Sequence, residues 1–147
     1  MTTHPYLRAY MAGIAVPTMF LLVIVTGFII ARHVYNVPLP IERVIVFPMA
    51  IVPNVFGVWN MLYVALHGRH LPIGLHGALL PFVLAPLGFT MATALGFLAA
   101  GPDGLVWFET LRVPYARLAV IFPSVVVIYY LVWKHLVGFF NKLLGIA

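Results

Sequence analysis

A chain of 147 residues that is 64% hydrophobic and only 7% charged, with a mean hydropathy of +1.11, is far from a soluble domain, where about a quarter of residues are charged. A water-soluble fold of this length leaves roughly a third of its chain area in water and has no room to hide so much apolar surface, so lipid is the expected solvent. The net charge of +5 comes from eight Lys/Arg and three acids scattered singly, a pattern that argues against nucleic acid and suits anionic lipid headgroups.

Cysteine is absent, which excludes disulfides, thiolate metal sites and a cysteine nucleophile. A bilayer core about 30 Å thick needs about 20 apolar residues in a helix, and four segments reach that length. The first is expected over residues 7–31. Arg8 precedes it, and no small-x-small cleavage pattern closes it before Arg32, so it reads as a retained span rather than a leader. "RHVYNVPLPIER", Arg32 to Arg43, follows as an interfacial crossing. The second span is expected over 44–66, then a tight turn, "HGRHLPIG", and the third span over 75–100. "GPDGLVWFETLRVPY", Gly101 to Tyr115, opens with turn residues and then offers Leu105, Trp107, Phe108 and Leu111, which suit a short interfacial helix with Trp107 at headgroup depth. The fourth span is expected over 116–140.

The fold class is therefore an all-α membrane protein: one integral membrane domain, a four-transmembrane-helix bundle with short loops and no linker to a second unit. Its helices are expected to bend, because prolines lie inside every span (Pro17; Pro48 and Pro53; Pro81 and Pro86; Pro123), and each removes a backbone hydrogen bond. An even number of spans puts both termini and the middle turn on one side. Four basic residues fall there (Arg8, Arg69, Lys134, Lys142) and four opposite (Arg32, Arg43, Arg112, Arg117), a tie. All three acids lie opposite, so the net charge is +4 against +1; acids contribute little to the positive-inside rule, and this asymmetry only leans the termini toward the cytoplasm.

On the third span Gly88, Ala92, Gly96 and Ala100 put a small residue at every fourth position, the pattern that lets another helix approach closely. Four short-looped helices bury little surface among themselves, so a homo-oligomer, or membership of a larger membrane complex, is expected. Polar groups in hydrocarbon are costly and turn toward the bundle interior; Asn60 is the candidate on the second span.

His4, His67, His70, His76 and His135 all fall on the side of the termini, with Arg69 and Lys134 at the same level. Three chemistries compete for this cluster. A metal suits imidazole, but Gly68 interrupts "HGRH", no carboxylate lies on that side, and Arg69 and Lys134 repel a dication. A bis-histidine haem would use His67 or His76 with His135, all of them close to one edge. An anionic amphiphile fits the charges best: His67, Arg69, His70, His76, Lys134 and His135, with Asn60 below, form a cationic rim for an anionic lipid. The sequence thus reads as a non-catalytic membrane subunit or scaffold holding a lipid or lipid-like ligand, its cofactor unspecified. The alternatives are a haem- or metal-dependent redox protein using His67, His76 and His135, and a small oligomeric transporter or channel along the Asn60 and Ser124 faces. No acid lies within a span for ion coupling, and no phosphate-loop or serine-hydrolase motif is present.

Overall fold

The computed structural model describes residues 4–38, 41, 46–66, 71–109 and 111–146. Helix α1 (Pro5–His33) is followed by a π-helical segment (Val46–Ile51) that runs into α2 (Val52–Ala65). Helices α3 (Ile73–Ala78) and α4 (Leu80–Ala94) form one broken arm. Strands β1 (Leu98–Ala100), β2 (Gly104–Trp107) and β3 (Leu111–Pro114) come next. The last arm is α5 (Tyr115–Val132), a second π-helical segment (Trp133–Val137) and α6 (Gly138–Leu143). Three stretches are long and apolar enough to cross a membrane, namely Pro5–His33, Ile73–Ala94 and Tyr115–Leu143; Met49–Ala65 is apolar but shorter.

Close backbone approach sets the pairing of α1 with α2. A Cβ on Gly13 would lie 2.5 Å from the Phe56 carbonyl oxygen and 2.8 Å from the Gly57 Cα, so only glycine lets the two backbones touch. One turn earlier on α1, the Ala9 carbonyl accepts a hydrogen bond from Asn60 Nδ2 at 2.8 Å. Ascending α1 therefore means descending α2, and the pair is antiparallel. Ala9, Gly13 and Pro17, all buried, form a small-residue stripe of the kind expected on the third span. The stripe exists, but on the first helix.

The third and fourth arms are also antiparallel. Ile73 lies against Gly138, Gly77 against Trp133, and the Phe82 and Phe122 rings meet edge to face with centroids 5.1 Å apart. Val16, Phe56, Leu80, Leu84, Trp133 and Val137 form the main core. At the same end Arg8 donates to the Leu144 carbonyl at 3.3 Å, so the two ends of the described chain meet.

Two expectations need correction. The third helix stops at Ala94, so Gly96 and Ala100 do not continue the stripe with Gly88 and Ala92. Gly96 adopts φ 74°; its N–H bonds to the Thr93 carbonyl, and the Phe97 N–H to the Ala92 carbonyl. This is the glycine-terminated cap that ends many helices, and Phe97 and Ala92 pack together in a small second core. Ala92 is thus buried under the turn, Ala100 ends β1, and Gly88 borders a cleft.

The second correction concerns residues 101–115, where the expected interfacial helix is a three-stranded antiparallel meander in the order β1-β2-β3. The "GPDG" turn closes the first hairpin with Gly101 N–H bonding to the Gly104 carbonyl. A Cβ on Gly104 would lie 2.3 Å from the Val113 carbonyl oxygen. Phe108 and Glu109 take positive φ (53° and 60°) at the second turn, a conformation unfavourable for such residues. Stacking of Phe108 on Phe97 at 5.7 Å compensates. Trp107 and Phe108, which with Leu105 and Leu111 suggested an interfacial helix here, are of types equally enriched in strands, and two tight turns decided the outcome.

Candidate functional site: a buried polar layer at the closed end

The buried polar side chains among the described residues are Asn60, His76 and Asn141, and each has its partners. Asn60 and Asn141 form a reciprocal amide pair: Asn60 Nδ2 donates to Asn141 Oδ1 at 2.7 Å, and Asn141 Nδ2 donates to Asn60 Oδ1 at 3.1 Å. With the Ala9 carbonyl also bonded to Asn60, one amide group ties together α1, α2 and α6. Buried amides left unpaired cost about 1–3 kcal/mol each, so this register is strongly specified.

A second reciprocal pair lies between α2 and α3. The Trp59 indole Nε1–H donates to the His76 carbonyl at 2.9 Å, and His76 Nε2 lies 2.9 Å from the Trp59 carbonyl oxygen. A carbonyl only accepts, so the proton sits on Nε2. The imidazole is walled by Trp59, Tyr63 and Trp133, with ring centroids 5.0, 5.2 and 5.8 Å away. Gly77 permits this wall: a Cβ there would fall 2.0 Å from Trp133 Cγ. Gly74 does the same for Tyr130. Trp133 opens the second π-helical segment, a distortion that widens the turn and re-aims its side chains, and its buried Nε1 has no hydrogen-bond partner among the described residues.

The expected rim divides accordingly. His67, Arg69 and His70 lie outside the described residues. His76, expected on the rim, is instead buried, and Asn60, expected below the rim as a ligand contact, is buried as well; both interlock helices. Lys134 and His135 are exposed, and the Lys134 ammonium lies 5.6 Å from the centre of the Tyr130 ring. Haem ligation through His76 Nε2 would have to break its bond to Trp59, and among the described residues no three of His, Asp or Glu gather to hold a metal ion. Nor do Asn60 and Ser124 share a lining: Asn60 is enclosed, whereas Ser124 is exposed and donates to the Val120 carbonyl of its own helix at 2.9 Å.

Asn141, Trp59, Tyr63 and Trp133 belong to this layer and were not singled out in the sequence. Asn141 had a signal: a carboxamide in an apolar helix needs a partner, and Asn60 was the available one. The aromatic wall had none, because tryptophans near helix ends ordinarily read as interfacial anchors.

Comparison with known proteins gives no assignment: no family model, no curated protein and no solved structure matches this chain.

Proposed function

We propose that this chain is a small, non-catalytic integral membrane subunit or scaffold that crosses the bilayer four times, has both ends on the cytoplasmic side, and holds an anionic lipid at its cationic rim. The observation that carries the reading is the distribution of polarity. The buried Asn60, His76 and Asn141 each bond one helix to another, while large apolar side chains such as Val23, Leu62, Phe82 and Val120 stand exposed. A polar group interlocking two helices is not aimed at a substrate, and an apolar exterior of this extent suits hydrocarbon.

The fourth crossing is assigned to the second arm. The π-helical segment has six residues and α2 has 14. Together they reach roughly 30 Å at 1.5 Å per residue, the thickness of the hydrocarbon core. Lys134, His135 and Lys142 are exposed at the end where Arg8 meets Leu144. Arg69, with His67 and His70 close to it in sequence, completes the rim in this reading. Apolar exposure also favours assembly with further copies or with other membrane chains.

The absence of native cysteine makes the topology directly testable. Single cysteines at Tyr35 and Asp103 should label from one face of the membrane, and those at His4 and Leu71 from the other. Labelling of positions 4 and 71 from opposite faces would refute the arrangement. For the rim, Arg69→Gln combined with Lys134→Gln should lower retention of phosphatidylglycerol during purification, and unchanged retention rejects it.

A further inference from the structure

Helices α4 and α5 touch through Phe82 and Phe122 and separate toward the meander, leaving between them a cleft of about 900 Å³. That size is near the upper end of small-molecule sites, roughly 300–1,000 Å³. From α5 the wall is built by Leu118, Phe122, Val125 and Tyr129, which recur at helical spacing on one face. The meander supplies the roof. Leu98 pairs with Trp107 in the register, and alternation turns Leu98, Leu105 and Trp107 to the cleft. Val106 and its partner Arg112 face the other way, into a separate small depression.

We infer that this cleft receives one hydrocarbon tail of a bilayer lipid, entering sideways between α4 and α5 with its length lying beneath the β-meander. The inference rests on the membrane-embedded reading above, since the opening meets hydrocarbon only if these helices cross a bilayer. No charged side chain lines the cleft among the described residues. Of its hydroxyls, that of Thr90 is bonded to the Pro86 carbonyl of its own helix at 2.8 Å, so the site recognises apolar shape, not a headgroup.

Dimensions separate a tail from a partner helix. Leu118 to Tyr129 covers roughly 16 Å at 1.5 Å per residue, about half of a hydrocarbon core of about 30 Å, the reach of the tails of one leaflet. A helix from a second copy or another chain is about 10 Å across and would have to run on past both ends. One end is closed by the meander, and the other by the core containing Leu80, Leu84 and Trp133. The occupant must therefore terminate inside, as a lipid tail does.

The test uses the full chain in phosphatidylcholine nanodiscs, whose net-neutral headgroup is not held by the cationic rim, transferred to mild detergent and weighed by native mass spectrometry. Ala85→Phe and, separately, Val125→Trp fill the cleft; Val127→Trp adds the same bulk on the exposed opposite face of α5. The wild type should keep one phospholipid per chain, each cleft-filling variant should lose at least fivefold of that occupancy, and Val127→Trp should stay within twofold of wild type. Equal retention in all four proteins, no retained lipid in the wild type, or a dimer that only the cleft-filling variants dissociate would each overturn the assignment. Cysteine labelling at positions 35 and 103 on the same preparations tells a chain that does not cross as proposed from one that crosses with an empty cleft.

Discussion

The two ends of this molecule solve the same problem differently. At the end where the termini meet, Gly13 lets two backbones touch, Gly57, Gly74 and Gly77 seat the side chains of Tyr10, Tyr130 and Trp133, and three buried polar side chains interlock four helical segments. Toward the other end the helices part. The described residues of α1 beyond Leu21 include no buried one, α5 has none along its whole length, and a small sheet, rather than helix–helix packing, joins α4 to α5. Close packing with satisfied polar groups specifies one geometry. Apolar side chains without intramolecular partners specify only the solvent they need. The closed end thus defines the fold, and the open end leaves room for a guest.

The largest expected effect breaks the closed end. In Gly77→Ala the new methyl would sit 2.0 Å from Trp133 Cγ, close to the indole's attachment and not at the end of a flexible chain. Overpacking of this kind costs about 3 kcal/mol, read as a shift in unfolding midpoint by denaturing-detergent titration. Gly27→Ala is the matched control at the open end: nothing lies within 4 Å of the added Cβ, and a helix-interior alanine should be neutral or gain roughly 0.5–1 kcal/mol. Equal losses from the two substitutions would mean that the ends do not differ as described.

The amide pair comes next. Asn60→Leu leaves the Asn141 amide and the Ala9 carbonyl without their partner, at a cost of about 2 kcal/mol. Asn60→Leu combined with Asn141→Leu removes both amides from the apolar interior and should recover at least half of that loss, because replacing both partners by apolar groups of similar shape can be nearly neutral. A double substitution whose loss is the sum of the two single ones would show that the amides act independently.

Length and composition carried most of the architecture. The apolar helical arms were legible because hydrocarbon demands long uninterrupted apolar runs, and the residues expected at 7–31 and 116–140 fall within Pro5–His33 and Tyr115–Leu143. The end of the third helix was misread because Gly96 satisfies two patterns. Every fourth small residue suggests packing, and a glycine after the last apolar turn suggests a stop. Hydropathy does not choose between them, since Phe97 to Ala100 is as apolar as the helix before it. The meander was hidden for a related reason, as short apolar strands and helical turns look alike until the turn residues on both sides are weighed. For the site, Asn60 and His76 were recognised as polar residues of consequence, but His76 was placed on a rim and Asn60 below it as a ligand contact. Their burial depends on neighbours distant in sequence, Asn141 and Trp133, that no local pattern connects to them.

A smaller effect is expected at the open end from Gly96→Ala. Here the penalty comes from a positive φ of 74°, worth roughly 1–2 kcal/mol for an L side chain in the left-handed region, and not from lost helix packing. The loss should stay local. Hydrogen exchange should accelerate over β1 to β3 while the Asn60–Asn141 layer keeps its protection. Faster exchange at Ala9 and Asn60 as well would show that the meander supports the closed end, contrary to the division drawn above.

The smallest stability change belongs to the surface of the closed end, and it separates binding from folding there. Lys134 is exposed, and its intramolecular contact is with the Tyr130 ring at 5.6 Å, an attraction of about 0.5–1 kcal/mol at an exposed site. Lys134→Gln should therefore move the unfolding midpoint barely at all, since the Tyr130 ring stays packed against Gly74. Its effect should fall on acidic lipid: phosphatidylglycerol retention should drop, with a further drop when Arg69→Gln is added, while uncharged lipid is held as before. A large stability loss from Lys134→Gln would make this cation part of the interlock and not of a binding rim. Unchanged retention together with unchanged stability would leave the closed end as packing alone, and lipid recognition would then fall to the cleft at the other end.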